Sequence, residues 1–391
     1  MPHRFLSRKI QAIAPSGIRR FFELTLTMPD VISRGVGDPD FATPAVARAA
    51  AQAVIGRGET QYTSNRGLPA LLEALAEHLH GRYGVRYEPQ TELLITTGVS
   101  EALQLAALAT LDPGDEVLIP EPCFVAYAPV VSFAGGVPVP VPTFAAEGFA
   151  PNLALLEAAI TPRTKALLLG YPNNPTGAVL DPPVALALAA LAERHDLLVY
   201  SDEIYDRLVF DTAHICFAAL PGMRARTLTL GGFSKDYAMT GWRIGYLGAP
   251  PEILAACLKA HQFVMMSAPT IGQHAALAAL RHAEPDVQAM LASYDHRRRL
   301  VIRALAQMGL PCPTPRGAFY AFPSVAHLTD DAATFCEQLL LEERVAVIPG
   351  DGFGPSGAGH FRLCYATALP KLEEALDRMG RFVGQWAAVG V

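Results

Sequence analysis

Short apolar runs punctuate the first two thirds of the chain, at 93–97, 116–120, 165–170, 197–201, 227–230 and 242–247, and they end in Gly, Pro, Asn or Asp. Between many of them the apolar positions return at helical spacing. In 100–111, Leu103, Ala106, Ala107 and Thr110 fall on one side, and 183–195 is another stretch rich in Ala and Leu. Strand alternating with helix predicts an α/β domain around a largely parallel sheet. After about residue 280 the texture changes. Two long helices are expected at 274–282 and 285–308. The basic run 297–299 in the second reads as a solvated helix face. Strand candidates at 318–322, 345–348 and 361–366, with a helix near 332–342, then predict a smaller α+β domain.

Composition narrows the function classes. At roughly 150 residues per domain, 391 residues allow two or three domains and a core that needs no disulfide or metal staple. An apolar share of 51% is that of a globular chain. A net charge of −6 argues against a chain built for nucleic acid or an anionic membrane. No apolar run reaches the ~18 residues of a membrane span. The six cysteines form no C-x-x-C pair and fit no zinc template, so they read as thiols in a reducing compartment, and a cytoplasmic location is expected. His78 and His80 read as an exposed helix face rather than a metal site. A lone G-x-G-x-x-G at 352–357 leads toward a strand rather than a helix, which is the wrong context for a dinucleotide.

In open α/β sheets ligands sit beyond the carboxyl ends of the strands, so the residues that follow each run carry the chemistry. After 93–97, Gly98, Val99 and Ser100 open a helix whose free N–H groups suit an anion, with Ser100 a candidate cap. After 116–120 comes Phe124, an aromatic able to lie on a flat heterocycle. After 165–170 comes YPNNPTG, where Pro175 holds Asn174 out of the helical region. After 197–201 comes SDEIY, in which Asp202 follows an apolar run and requires a cationic or hydrogen-bonding partner. After 227–230 comes GGFSKDYAMTGWRIGY. Only five of the 31 basic residues are lysines, and Lys235 follows a buried strand, where a desolvated amine has a lowered pKa and can condense with a carbonyl. Amine, carboxylate, aromatic and anion cradle together suit pyridoxal 5'-phosphate.

At this point the sequence resembles the class I, fold-type I, pyridoxal-phosphate-dependent aminotransferases. The resemblance runs from SGIRRFFEL and GVGDPDFATP to HFRLCYA, and its most specific pieces are YPNNPTG, SDEIYD and FSKDYAMTGWRIGY. It implies a large domain with a mainly parallel seven-stranded sheet flanked by helices (45–280), a smaller α+β domain (281–391), and an N-terminal segment (1–44) packing with the small domain and over the active site. It implies that Lys235 carries the cofactor and moves protons. Asp202 would pair with the ring nitrogen, and Asn174 and Tyr205 would bond the phenolic oxygen. Phe124 would stack on the ring, while Val99, Ser100 and Arg243 would hold the phosphate. Tyr62 would reach the phosphate of the partner subunit in a homodimer with shared active sites. Arg362 would fork onto the substrate's α-carboxylate, with Asn174 and the backbone of Gly37 beside it. Many relatives carry a hydroxyl or amide three residues before the lysine, where this chain has Gly232, and Ser234 is a candidate replacement contact.

The activity implied is exchange of an amino group between an amino acid and a 2-oxo acid, with no nucleic-acid or membrane partner. The SGIRRFF segment's likeness to broad-specificity relatives favours an apolar or aromatic donor. A carbon–sulfur β-lyase on the same scaffold would use the same lysine and aspartate. A ligand-sensing regulator is the rival from another class, but the roughly 35 residues ahead of GVGDPDF are too few for an added DNA-binding domain.

Overall fold

The computed structural model describes residues 4–11, 13, 28, 30–33, 35 and 37–389. Within the N-terminal segment 1–44, expected to pack over the active site, residues 14–27 lie outside them. Strand β1 (Ile32–Ser33) leads into the helices Ala45–Gly56 and Pro69–Tyr83. Seven strands follow: β2 (Leu93–Thr96), β3 (Glu116–Glu121), β4 (Val137–Pro142), β5 (Thr164–Gly170), β6 (Leu198–Asp202), β7 (Thr227–Gly232) and β8 (Gly245–Gly248). They form one sheet in the order β2-β8-β7-β6-β5-β3-β4. Only β8 runs against its neighbours; β3, β4, β5, β6 and β7 pair in parallel.

The inner strands read as unbroken apolar runs because both faces of the sheet are covered. Successive side chains point to opposite faces. Leu118, Leu167, Leu169 and Val199 enter the cluster beneath helix Pro182–Arg194. Val117, Ile119, Ala166, Leu168, Leu228 and Leu230 enter the cluster beneath helices Gly98–Thr110 and Pro251–Val264. The edge strand β4, VPVPVP, was not among the expected strands. Its three prolines break the usual strand signature and are tolerated because β4 pairs on one side only. The strand expected at 242–247 starts later, at Gly245, because Thr240–Trp242 make a short helical turn and Arg243 takes a left-handed conformation (φ 56°).

Beyond the helices Thr270–His282 and Glu284–Gln307, β9 (Tyr320–Ala321), β11 (Ile348–Pro349) and β12 (Phe361–Cys364) form a three-stranded antiparallel sheet. The single strand expected at 345–348 is split: β10 (Val345–Ala346) pairs in parallel with β1 instead. The basic run 297–299 is not a solvated face. Arg297 and Arg298 are buried. Arg297 pairs with Asp40 at 2.7 Å and lies over Phe41, and Arg298 pairs with Asp211 and Asp295 at 2.6 Å each. Arg299 alone of the three is exposed. Ser100 is not a cap, because the helix already begins at Gly98 and Thr97 is its boundary residue.

Candidate active site

Because β3, β5, β6 and β7 run the same way, their carboxyl ends and the loops that follow meet along one edge of the sheet. The antiparallel β8 contributes the residues before it, so Arg243 arrives at the same edge. There a cavity of about 370 Å³ opens, within the ~300–1,000 Å³ usual for small-molecule sites. It is lined by Gly37, Val99, Ser100, Phe124, Asn174, Asp202, Tyr205, Ser234, Lys235, Arg243 and Arg362, which is every residue given a catalytic or binding role from the sequence except Tyr62. Tyr62 is 81% exposed and does not line it.

Lys235 donates from Nζ to the carbonyl of Gly37 at 2.5 Å. Burial lowers its pKa to about 8, an effect that Asp38 opposes, so about a tenth of the amine is unprotonated and nucleophilic at pH 7, far more than for an ordinary lysine. Asp202 ends β6 and is buried. Its Oδ2 accepts from the Tyr127 hydroxyl at 2.9 Å and its Oδ1 from the Ile204 backbone N–H at 3.2 Å. Burial pushes this carboxyl up to about 6, and the two hydrogen bonds hold it down against that. Burial, then the neighbouring Asp202 charge, raises the Tyr127 phenol far above its usual range, so it stays a donor.

Arg362 sits on β12 and is buried between the rings of Tyr320 and Phe353, each centred 4.6 Å from Cζ. Its Nη1 donates to Asn174 Oδ1 at 2.7 Å and its Nη2 to the Gly35 carbonyl. Nε has no protein partner although it is buried. An orphaned guanidinium N–H aligned with a second donor is the arrangement that a carboxylate fork completes. Tyr205 shares a 2.8 Å hydrogen bond with Tyr320. A Cβ on Gly37 would come within 1.8 Å of the Tyr320 hydroxyl, so only glycine fits there.

The anion cradle is built from glycine contacts. A Cβ on Gly98 (φ 74°) would meet Arg243 Nη2 at 2.6 Å, and one on Gly245 would meet the Gly98 carbonyl carbon at 2.6 Å. No side chain of Thr97 caps the helix, which leaves N–H groups of its first turn to a ligand. A side chain on Gly232 would be tight against Gly245, the Ile244 carbonyl and Ile204 at 3.1–3.2 Å. This donor set fits pyridoxal phosphate: an amine for the carbonyl, a buried carboxylate lacking a cationic hydrogen-bond partner, and an N–H cradle with an arginine for the phosphate.

Gly35, Leu103, Val125, Tyr127, Pro172, Ile204, Thr240 and Tyr320 also line the cavity and were not anticipated. Tyr127 lies three residues beyond Phe124 at a helix start, and Tyr320 sits amid aromatic neighbours on a strand, where sequence gives no sign of which way a ring points.

Residues 29–379 match the family model described as aminotransferase class I and II. The aspartate aminotransferase of Pyrococcus abyssi is 43% identical, over 96% of this chain and 97% of its own. The aromatic-amino-acid aminotransferase 2 of Thermococcus litoralis is 41% identical over the same shares. The solved structure of Thermus thermophilus aspartate aminotransferase with maleate superposes with a TM-score of 0.93 at 40% identity, covering 97% of this chain and all of that one.

Proposed function

Since the chain belongs to the class I and II aminotransferases, and is thereby a pyridoxal-phosphate-dependent transaminase acting on amino and 2-oxo acids, we propose the following roles for its own residues. The relatives are transaminases, which disfavours the β-lyase alternative. When bound, pyridoxal phosphate supplies a carbonyl that takes up the amino group and a ring that withdraws the electron pair left as the α-proton departs. Lys235 Nζ would hold the cofactor through its carbonyl and, when freed, would carry the α-proton. Asp202 keeps the ring nitrogen protonated by presenting a fixed negative charge to it, and Tyr127 and the Ile204 N–H hold that carboxylate in place. Asn174 and Tyr205, which line the cavity, would bond the phenolic oxygen, and Phe124 would stack on the ring. Val99, Ser100, Ser234 and Arg243 seat the phosphate.

The observation that carries this reading is a cavity lined both by the buried Arg362, whose Nε has no hydrogen-bond partner, and by a lysine of lowered pKa. Arg362 takes the α-carboxylate, with Gly37 and Asn174 beside it. Among the described residues the cations lining the cavity are Lys235, Arg243 and Arg362, each engaged by these roles; the likeness of SGIRRFF to broad-specificity relatives supports an apolar or aromatic amino acid as donor. Arg362→Lys keeps the charge and loses the planar fork. It is expected to cost roughly 2–4 kcal/mol in kcat/KM while cofactor attachment is retained. The measurement is kcat/KM across aspartate, glutamate, leucine, phenylalanine and tyrosine, with the cofactor spectrum recorded alongside. Unchanged kcat/KM for every donor would remove Arg362 from the carboxylate site, and a preference for aspartate or glutamate would overturn the donor class.

We further propose a cytoplasmic homodimer with shared sites, in which residues 1–44 and 281–391 close over 45–280 when substrate binds. No helix among the described residues is long and apolar enough to cross a membrane. Tyr62 stands beside an exposed apolar stretch, Phe263, Val264, Met265 and Met266. The two are tied by the Asn65 amide donating to the Met266 carbonyl and the Thr270 hydroxyl donating to the Gln61 carbonyl, each at 2.6 Å. A contiguous apolar patch of this kind marks an interaction face, and a second copy seated on it would bring Tyr62 to the neighbouring site. Mixed Tyr62→Ala and Lys235→Ala subunits are then expected to regain activity, because each heterodimer holds one intact site. Absence of recovery after verified exchange would mean that each chain works alone.

A further inference from the structure

The turn that opens helix Gly98–Thr110 is held from behind by a buried polar pair with no place in the chemistry described above. Glu101 is 8% exposed. Its Oε2 reaches back to accept the Thr97 backbone N–H at 2.5 Å, which is half of a capping box displaced by one residue. Its Oε1 lies 2.6 Å from His261 Nδ1. His261 is fully buried in the last turn of helix Pro251–Val264, and its carbonyl accepts from Met265 and Met266 at 2.9 Å each. Its Nε2 has no partner. With the ring proton on Nδ1, toward the carboxylate, what remains unpaired at Nε2 is a lone pair, which is tolerated better than a buried N–H.

Burying a carboxylate is costly unless its bonds are made. This one spends both oxygens on orientation: one on the peptide at the boundary of the helix, the other on an imidazole anchored in a neighbouring helix. The Thr97 peptide leads directly into Gly98 and Val99, which are closely approached by Arg243 on the Gly98 Cα side and by Gly245.

We propose that Glu101 and His261 are positioning residues of the phosphate seat, holding the 97–100 turn so that its N–H groups and Arg243 converge on one anion. The inference rests on the reading that the cofactor phosphate occupies this turn. The experiment separates the two by comparing pyridoxal phosphate with pyridoxal, which offers the same carbonyl and ring without the phosphate. Each is titrated into apoprotein and followed by the absorbance change on attachment to Lys235. Glu101→Leu is expected to weaken pyridoxal phosphate about ten-fold, the equivalent of one hydrogen-bonded anchor, and to leave pyridoxal within about two-fold. Glu101→Gln, whose amide oxygen still accepts the Thr97 N–H, is expected to restore most of the loss. His261→Gln, measured in parallel in case Glu101→Leu fails to fold, is expected to lower the same ratio about three-fold. If both ligands weaken together, or neither does, the pair serves only the core and the proposal is overturned. If Arg243→Ala also leaves the ratio of the two affinities unchanged, the phosphate is seated elsewhere, and the reading beneath the proposal falls with it.

Discussion

Lys235→Ala is expected to lose transamination by at least about four orders of magnitude, because the substitution removes both the covalent anchor and the proton carrier, and positioned acid–base catalysis alone is worth about 10²–10⁴. Burial that brings the amine to about 8 makes Lys235 the reactive lysine of five. Lys165 sits at the opposite end of β5 and is held by Asp115 at 2.7 Å, and Lys9 is exposed and donates to the Phe133 carbonyl. Borohydride reduction of the wild-type enzyme followed by peptide mapping should place the cofactor on the peptide containing Lys235. A label on Lys9, Lys165, Lys259 or Lys371, or an alanine variant within a hundred-fold of wild type, would contradict the assignment.

Asp202→Ala should keep part of its cofactor and lose at least about three orders of magnitude in kcat, or about 4 kcal/mol at ~1.4 kcal/mol per tenfold. In this structure the carboxylate accepts only from neutral donors, Tyr127 and the Ile204 N–H, and burial has already raised it to about 6. It is still mostly ionised at pH 7, and a protonated ring nitrogen would complete its shell and stabilise the charge further. Asp202→Asn tests the charge alone, since an amide oxygen still accepts one of those bonds. Single-turnover rates at saturating cofactor make the comparison, and a loss of only a few-fold in both variants would show that the carboxylate does not stabilise the transition state.

The strand ends were the most legible part of the chain. Apolar runs buried on both faces are conspicuous, and because ligands gather at the carboxyl ends of such strands, the sequence singles out Asp202, Asn174 and Lys235. Arg362 was legible only through family resemblance, since nothing in HFRLCYA says that its side chain turns inward between two rings. Tyr127, Tyr320 and Thr240 escape the sequence because side-chain direction at a helix start, on a two-residue strand or in a short helical turn is set by tertiary packing. The Arg297–Arg298 pair was misread for a related reason: a charge run looks solvated until acids from distant segments, Asp40 and Asp211, are brought beside it. Residue β4 prolines hid a strand whose presence only the pairing with β3 reveals.

Those same prolines bear on solubility. A parallel strand alternates its amide groups between its two sides. In β4 the Val137 N–H, and the Thr143 N–H just beyond the strand, bond β3-side carbonyls of Asp115 and Glu121 at 2.8 Å each. Positions 138, 140 and 142 therefore face outward, and all three are proline. The open border of a seven-stranded sheet would otherwise offer a row of donors to any unfolded or neighbouring chain, but here that row is chemically erased. On the opposite border, beside β2, the Ile95 N–H is already taken by the Arg66 carbonyl at 2.9 Å. The β4 margin thus presents no outward N–H at positions 138, 140 and 142, and the β2 margin has one of its donors already engaged, which leaves less for an added strand to pair with at either border.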